Sequence, residues 1–126
     1  MKGSLRLRKG ERLCGRTQIN RLFGEGSSVI AYPLRAVYLF TDAGTEPRAQ
    51  FMITIPKKKI RRAVHRVLLR RRVREAYRLS RHLIVPALEQ NGKSLMVAFV
   101  WLSDETAPYD VIESKLQEIL TRISNQ

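Results

Sequence analysis

The sequence predicts an α+β protein, a two-layer α/β sandwich with helices packed on a small sheet in the order α-β-β-β-α-β-α. Three observations predict it. Short stretches rich in β-formers occupy residues 34–41, 49–55 and 94–101. Residues 69–81 and 112–123 instead repeat their apolar positions at helical spacing. Finally, 126 residues with 44% apolar content suit one core and one domain.

The elements follow in order. Residues 18–23 (QINRLF) form a short amphipathic helix, with Thr17 as N-cap and Gly24 and Gly26 closing it. Residues 27–32 make a first short strand, which Pro33 breaks before the second strand, LRAVYLFT. Residues 42–47 are a turn by composition. Residues 49–55 alternate, with Phe51, Ile53 and Ile55 on one side and Gln50, Met52 and Thr54 on the other. Such a strand is half-buried and leaves one face available.

Pro56 ends that strand, and a basic segment begins. At about 100° per residue, Leu69, Val73, Ala76, Tyr77 and Ser80 fall on one side of a helix, and Arg70, Arg71, Arg74, Arg78 and Arg81 on the other. The pattern fades near Pro86, and Asn91-Gly92 stops any short continuation. SLMVAFVW at 94–101 is a continuous apolar run, expected as a central strand covered on both faces. Ile112, Leu116, Ile119, Leu120 and Ile123 define a last amphipathic helix. No repeat or boundary interrupts the chain. Residues 1–126 are expected to form a single domain, with 1–11 a flexible basic arm.

Charge is what separates the candidate functions. Residues 57–81 hold 12 of the 24 Lys and Arg residues and one acid, Glu75, so they carry +11 of the net +13. Residues 25–56 are net −1 and 83–126 net −3. A solubility device would spread its charge, whereas a segregated stripe is expected of a face that binds phosphate. Arginine outnumbers lysine nine to three there, and its planar fork suits phosphate oxygens. A solvated helix face normally intersperses acids at i±4, and only Glu75 does so. Aromatic side chains beside such a surface stack on unpaired bases. Phe23 and Tyr38 suit that role or a place in the core.

Other classes find little support. No run approaches the roughly 18 apolar residues of a membrane helix, and no apolar signal region follows the basic N-terminus, which bears only a weak likeness to a mitochondrial presequence. Cys14 is the single cysteine, giving neither a disulfide framework nor a thiolate metal cluster. A soluble intracellular protein is expected. His65 and His82 are 17 residues apart with no carboxylate or thiol completing a ligand spacing. Asp104, Glu105 and Asp110 precede the last helix, where N-terminal capping explains them. No Gly-rich phosphate loop is present. A self-sufficient nuclease is therefore disfavoured.

The order of motifs resembles the protein subunit of bacterial ribonuclease P. Arg12-Leu13 looks like that family's opening, and Ile19 through Gly26 (INRLFGEG) is similar to its first helix. Thr54-Ile55-Pro56-Lys57-Lys58 resembles its strand exit. The specific part is the spacing of Ala63-Val64, Arg66, Arg70-Arg71 and Arg74-Glu75-Ala76-Tyr77. The resemblance implies a fold like the second domain of ribosomal protein S5, with a left-handed βαβ crossover, an exception to the usual hand. It implies cytoplasmic 5′-end maturation of precursor tRNA in a bacterium, with a catalytic RNA as partner. The RNA would be the catalyst, holding the Mg²⁺, and this chain would carry no catalytic residue, no organic cofactor and no obligate protein partner.

By the same resemblance, Arg66, Arg70, Arg71 and Arg74 would contact the catalytic RNA, and Arg61, Arg62 and Arg78 in the same basic segment are expected to bind it with them. Phe23 and Tyr38 would face the single-stranded 5′ leader of the precursor, with Lys57 and Lys58 at the cleft. Two departures stand out. Where the family shows Arg-Asn-Arg, this chain has Arg66-Val67-Leu68, so no RNA-contact or metal-linked role passes to Val67 or Leu68. Ile19 occupies a position where an aromatic is common, so one stacking platform is expected to be missing. The alternative is a basic structural RNA-binding protein, ribosomal or an assembly factor, with no catalytic link.

Overall fold

The structure, a computed structural model, describes residues 12–13, 15–42 and 49–126. Helix α1 (Arg16–Glu25) leads into strands β1 (Ser27–Ala31), β2 (Leu34–Asp42) and β3 (Ala49–Thr54). The basic helix α2 (Ala63–Ser80) runs through a 3-10 turn into a short helix α3 (Val85–Asn91). Strand β4 (Lys93–Trp101) and helix α4 (Tyr109–Ser124) complete the chain. The α+β order is the expected one with α3 added, stopped by Gly92 in the left-handed conformation at φ +62°. The expected basic arm at 1–11, Cys14 and most of the turn at 42–47 lie outside the described residues.

One mixed sheet runs β1-β2-β4-β3, antiparallel except for the parallel pair β3–β4 that α2 connects. The apolar run of β4 is central, as its composition required, and Leu95–Phe99 are all buried. β1 and β2 are joined by a tight turn with a cis Tyr32–Pro33 peptide. On the far edge, the Leu13 N–H donates to the Phe51 carbonyl at 2.7 Å.

Strand alternation divides the sheet into two unequal faces. Leu34, Ala36, Tyr38, Phe51, Val97 and Phe99 point to one side, where α2 and α4 cover them with Leu69, Val73, Tyr77, Leu116 and Leu120. Phe51 and Tyr77 stack with centroids 4.4 Å apart, and Phe99 tilts against Tyr77 at 5.7 Å. Such pairs add about 0.5–1.5 kcal/mol beyond their burial. The other side carries a smaller cluster of Leu13, Leu22, Val37, Met96 and Ala98, with Ile19, Leu39 and Met52 packed against it. α1 lies over this second face. Its junction with β1 is close: a Cβ on Gly26 would lie 2.4 Å from the Leu22 carbonyl oxygen and 2.8 Å from that of Tyr38.

Candidate nucleic-acid interface

The first surface is the outward side of α2. Its inward residues Leu69, Val73, Ala76, Tyr77 and Ser80 are all buried, which fixes the helix rotation and turns the arginines outward. Arg61, Arg62, Arg70, Arg71 and Arg74 are exposed. The helix begins at Ala63 with neither a side-chain cap nor an acid in its first turn. Its positive dipole end therefore adds to the side-chain charge.

Not every arginine expected here presents its charge outward. Arg66 Nη1 donates to the carbonyls of Ile60 at 2.9 Å and Arg61 at 2.8 Å, holding the turn that leads into α2. Arg72 donates to the Ala107 carbonyl, tying α2 to the approach of α4. Arg78 forms a bidentate pair with Glu75, Nε to Oε1 at 2.9 Å and Nη2 to Oε2 at 2.6 Å. That pairing holds the Glu75 carboxyl below its ordinary range and raises Arg78. Of the arginines expected to contact RNA, Arg66 thus clasps backbone through Nη1 and Arg78 is paired with its neighbour three residues away.

Lys57 and Lys58 lie in the exposed turn after β3, pinned by Lys59 and Ile60 N–H bonds to the Pro56 carbonyl, both 3.1 Å. Lys58, Lys59, Arg61, Arg62 and His65 line an open pocket whose facing wall is Asp104, Glu105 and Thr106. Asp104 and Glu105 therefore oppose the basic turn, and Asp110 is the acid in the first turn of α4. His82 is exposed on the 3-10 turn. Among the described residues, no group of three or more His, Cys, Asp or Glu is placed to hold a metal ion.

The second surface is the sheet face beside α1. Phe23 projects from α1 with 47% exposure, next to the fully buried Leu22 that anchors the helix. Tyr38 does not join it. Alternation sends Tyr38 to the helical side, where it is 8% exposed and packs edge-on against Phe40 at 5.8 Å. Its expected leader-facing role is corrected on that ground. Ile19 is half-buried in the smaller cluster, a core residue of α1.

The residues exposed on this face went unremarked in the sequence. Register aligns Ile30, Arg35, Val100 and Thr54 in one row across all four strands. Ile30 is 54% exposed and the other three are half-buried. Arg35 Nη2 donates to Ser28 Oγ at 3.2 Å on the neighbouring strand. The signal was the alternation of LRAVYLFT, which places Arg35 with Val37 and Leu39, opposite Tyr38.

An arginine helix on one layer and a partly uncovered sheet face beside an exposed aromatic define an RNA-binding protein of the α/β sandwich class. The chain belongs to the ribonuclease P protein family, whose model, described as Ribonuclease P, matches residues 7–124. It is 41% identical over 121 residues to the ribonuclease P protein component of Porphyromonas gingivalis, covering 94% of this chain and 86% of that one. The component of Chlorobaculum tepidum is 30% identical over 102 residues, covering 75% and 66%. The solved RNase P protein from Thermotoga maritima shares the fold with a TM-score of 0.69 at 23% identity, over 89% of this chain and 96% of that one. That of Staphylococcus aureus has a TM-score of 0.66 at 19% identity, covering 91% and 96%. The role is that of the protein component of a ribonucleoprotein endoribonuclease in tRNA processing.

Proposed function

We propose that this chain docks on the ribonuclease P RNA through the outward side of α2 and receives the precursor's 5′ leader on the sheet face beside α1. The observation that carries the reading is the exposed set Arg61, Arg62, Arg70, Arg71 and Arg74 on a chain of this family. Arg66 serves by holding the turn that presents Arg61 and Arg62. The leader would cross the row of Ile30, Arg35, Val100 and Thr54, with Phe23 stacking on an unpaired base and Lys57 and Lys58 meeting its phosphates. The whole chain acts as one RNA-binding domain in the bacterial cytoplasm.

Mg²⁺ does not suit the donors of this protein face. The ion takes carboxylate and phosphate oxygens in octahedral geometry, and the outward side of α2 offers guanidinium groups. We assign the metal to the RNA, and this chain's residues to positioning and charge neutralisation. The test is to add the protein to a bacterial ribonuclease P RNA at low Mg²⁺ and follow precursor cleavage. Stimulation with the RNA, and none without it, is expected. Cleavage by the protein alone would overturn the reading.

A further inference from the structure

On α2, the positions opposite the buried side are Val64, Val67, Arg71, Arg74 and Arg78, spaced alternately three and four residues apart. This outward ridge is about 21 Å long at the helical rise of roughly 1.5 Å per residue. Its character changes along its length. The last three positions are arginines, of which Arg71 and Arg74 are exposed and Arg78 is paired with Glu75, while the first two are valines exposed by 66% and 54%. Leu68 is half-buried beside them. Neither valine belongs to either core cluster, so the fold does not account for them.

The surroundings restrict what covers this apolar turn. Arg61 and Arg62 precede it, and Arg70 and Arg71 follow, all exposed. A second copy of the chain would bring its own +11 segment against these cations. The occupant must be polyanionic and yet present an apolar face close to its charges. Paired A-form RNA displays phosphates and ribose hydroxyls while its bases stay stacked inside. An unpaired nucleotide offers both a phosphate and a bare base face.

We infer that Val64 and Val67 form a seat for an unstacked nucleobase of the RNA that α2 holds. The inference rests on the docking role proposed for α2. It adds that the nucleotide met by the first turn is looped out, not helical. Contact of this kind acts through desolvation and releases no counterion. It should therefore change affinity without changing the salt dependence.

The experiment measures binding of the intact protein to a bacterial ribonuclease P RNA over a series of salt concentrations. The variants are V64A/V67A, V67L and R70A. Alanine raises helix propensity at these exposed sites, so the double variant should fold. It is expected to bind roughly three- to tenfold more weakly at every salt, with an unchanged slope and a less negative heat-capacity change. V67L should keep the parent affinity. Parent affinity in V64A/V67A, alongside a shallower slope in R70A, would overturn the seat and leave the docking face standing. Parent affinity and slope in R70A would overturn the docking face and the seat with it. Dissociation of a protein dimer by the alanines, with RNA affinity intact, would give the patch to a second copy and overturn the inference.

Discussion

The arginines of α2 divide by what their guanidinium groups already hold. Arg66 and Arg72 donate to backbone carbonyls and Arg78 grips Glu75, while Arg70, Arg71 and Arg74 are exposed. Each exposed arginine that touches phosphate adds ~0.7–0.9 to the log–log salt slope of RNA binding. Arg70→Ala and Arg74→Ala are accordingly expected to weaken binding and flatten that slope, measured by filter binding from low to moderate salt; two unchanged slopes would refute this side as the contact. The two aromatics should behave oppositely. Phe23→Ala is expected to cost roughly 1–3 kcal/mol in affinity for leader-bearing precursor and little for mature tRNA. Tyr38→Ala should instead cost about 3 kcal/mol of folding stability, as buried aromatics do. Equal losses for both RNA ligands in the Phe23 variant would assign that residue to folding. Tyr38 was legible in principle: its position in an alternating strand outweighs its residue type, and alternation puts it behind the sheet. The pinning of Arg66 was not legible, because the carbonyls it holds depend on how residues 60–62 turn into the helix.

Between elements, α2 and α4 meet along a seam with titratable groups on both sides. Glu75 and Arg78 stand on α2, and Tyr109 on α4 donates to Glu113 Oε2 at 3.1 Å. Burial, then the bond to Glu113, raises the Tyr109 phenol above its ordinary value. A raised group stabilises the fold fully below its unfolded value of about 10, and the contribution fades as pH rises through the folded one. Glu75 is depressed, so its contribution is present above the unfolded carboxylate range and fades as pH falls through the folded value. Denaturant titrations should show an alkaline loss of stability that Tyr109→Phe removes and an acid loss that Glu75→Gln reduces. Parallel pH profiles for parent and variants would discount the seam. The long helices were legible because their apolar positions repeat over several turns. Helix α3 was not, since seven residues (VPALEQN) carry too little periodicity to distinguish a helix from a loop.

At the scale of the molecule, the one-sided charge and the two-sided sheet are parts of a single design. Continuous apolar sequence in β4 and alternation in β3 already implied a central strand and an open face. The depth of α1 on that face depends instead on Gly26, whose missing side chain admits the carbonyls of Leu22 and Tyr38. Gly26→Ala is expected to lift the end of α1 and cost about 1–3 kcal/mol, read by urea denaturation; parent stability would mean that α1 has slack. Among the described residues the two clusters also differ greatly in extent, since five buried residues hold the α1 face and twenty-three the helical face. Protection against hydrogen exchange should follow that inequality. Amides of α1 are expected to exchange through a sub-global opening well below the unfolding free energy, while those of β4 and the central turns of α2 wait for the whole chain to unfold. On that expectation the layer beside the proposed leader path comes away first, and the helix proposed to dock on RNA belongs to the part that stays.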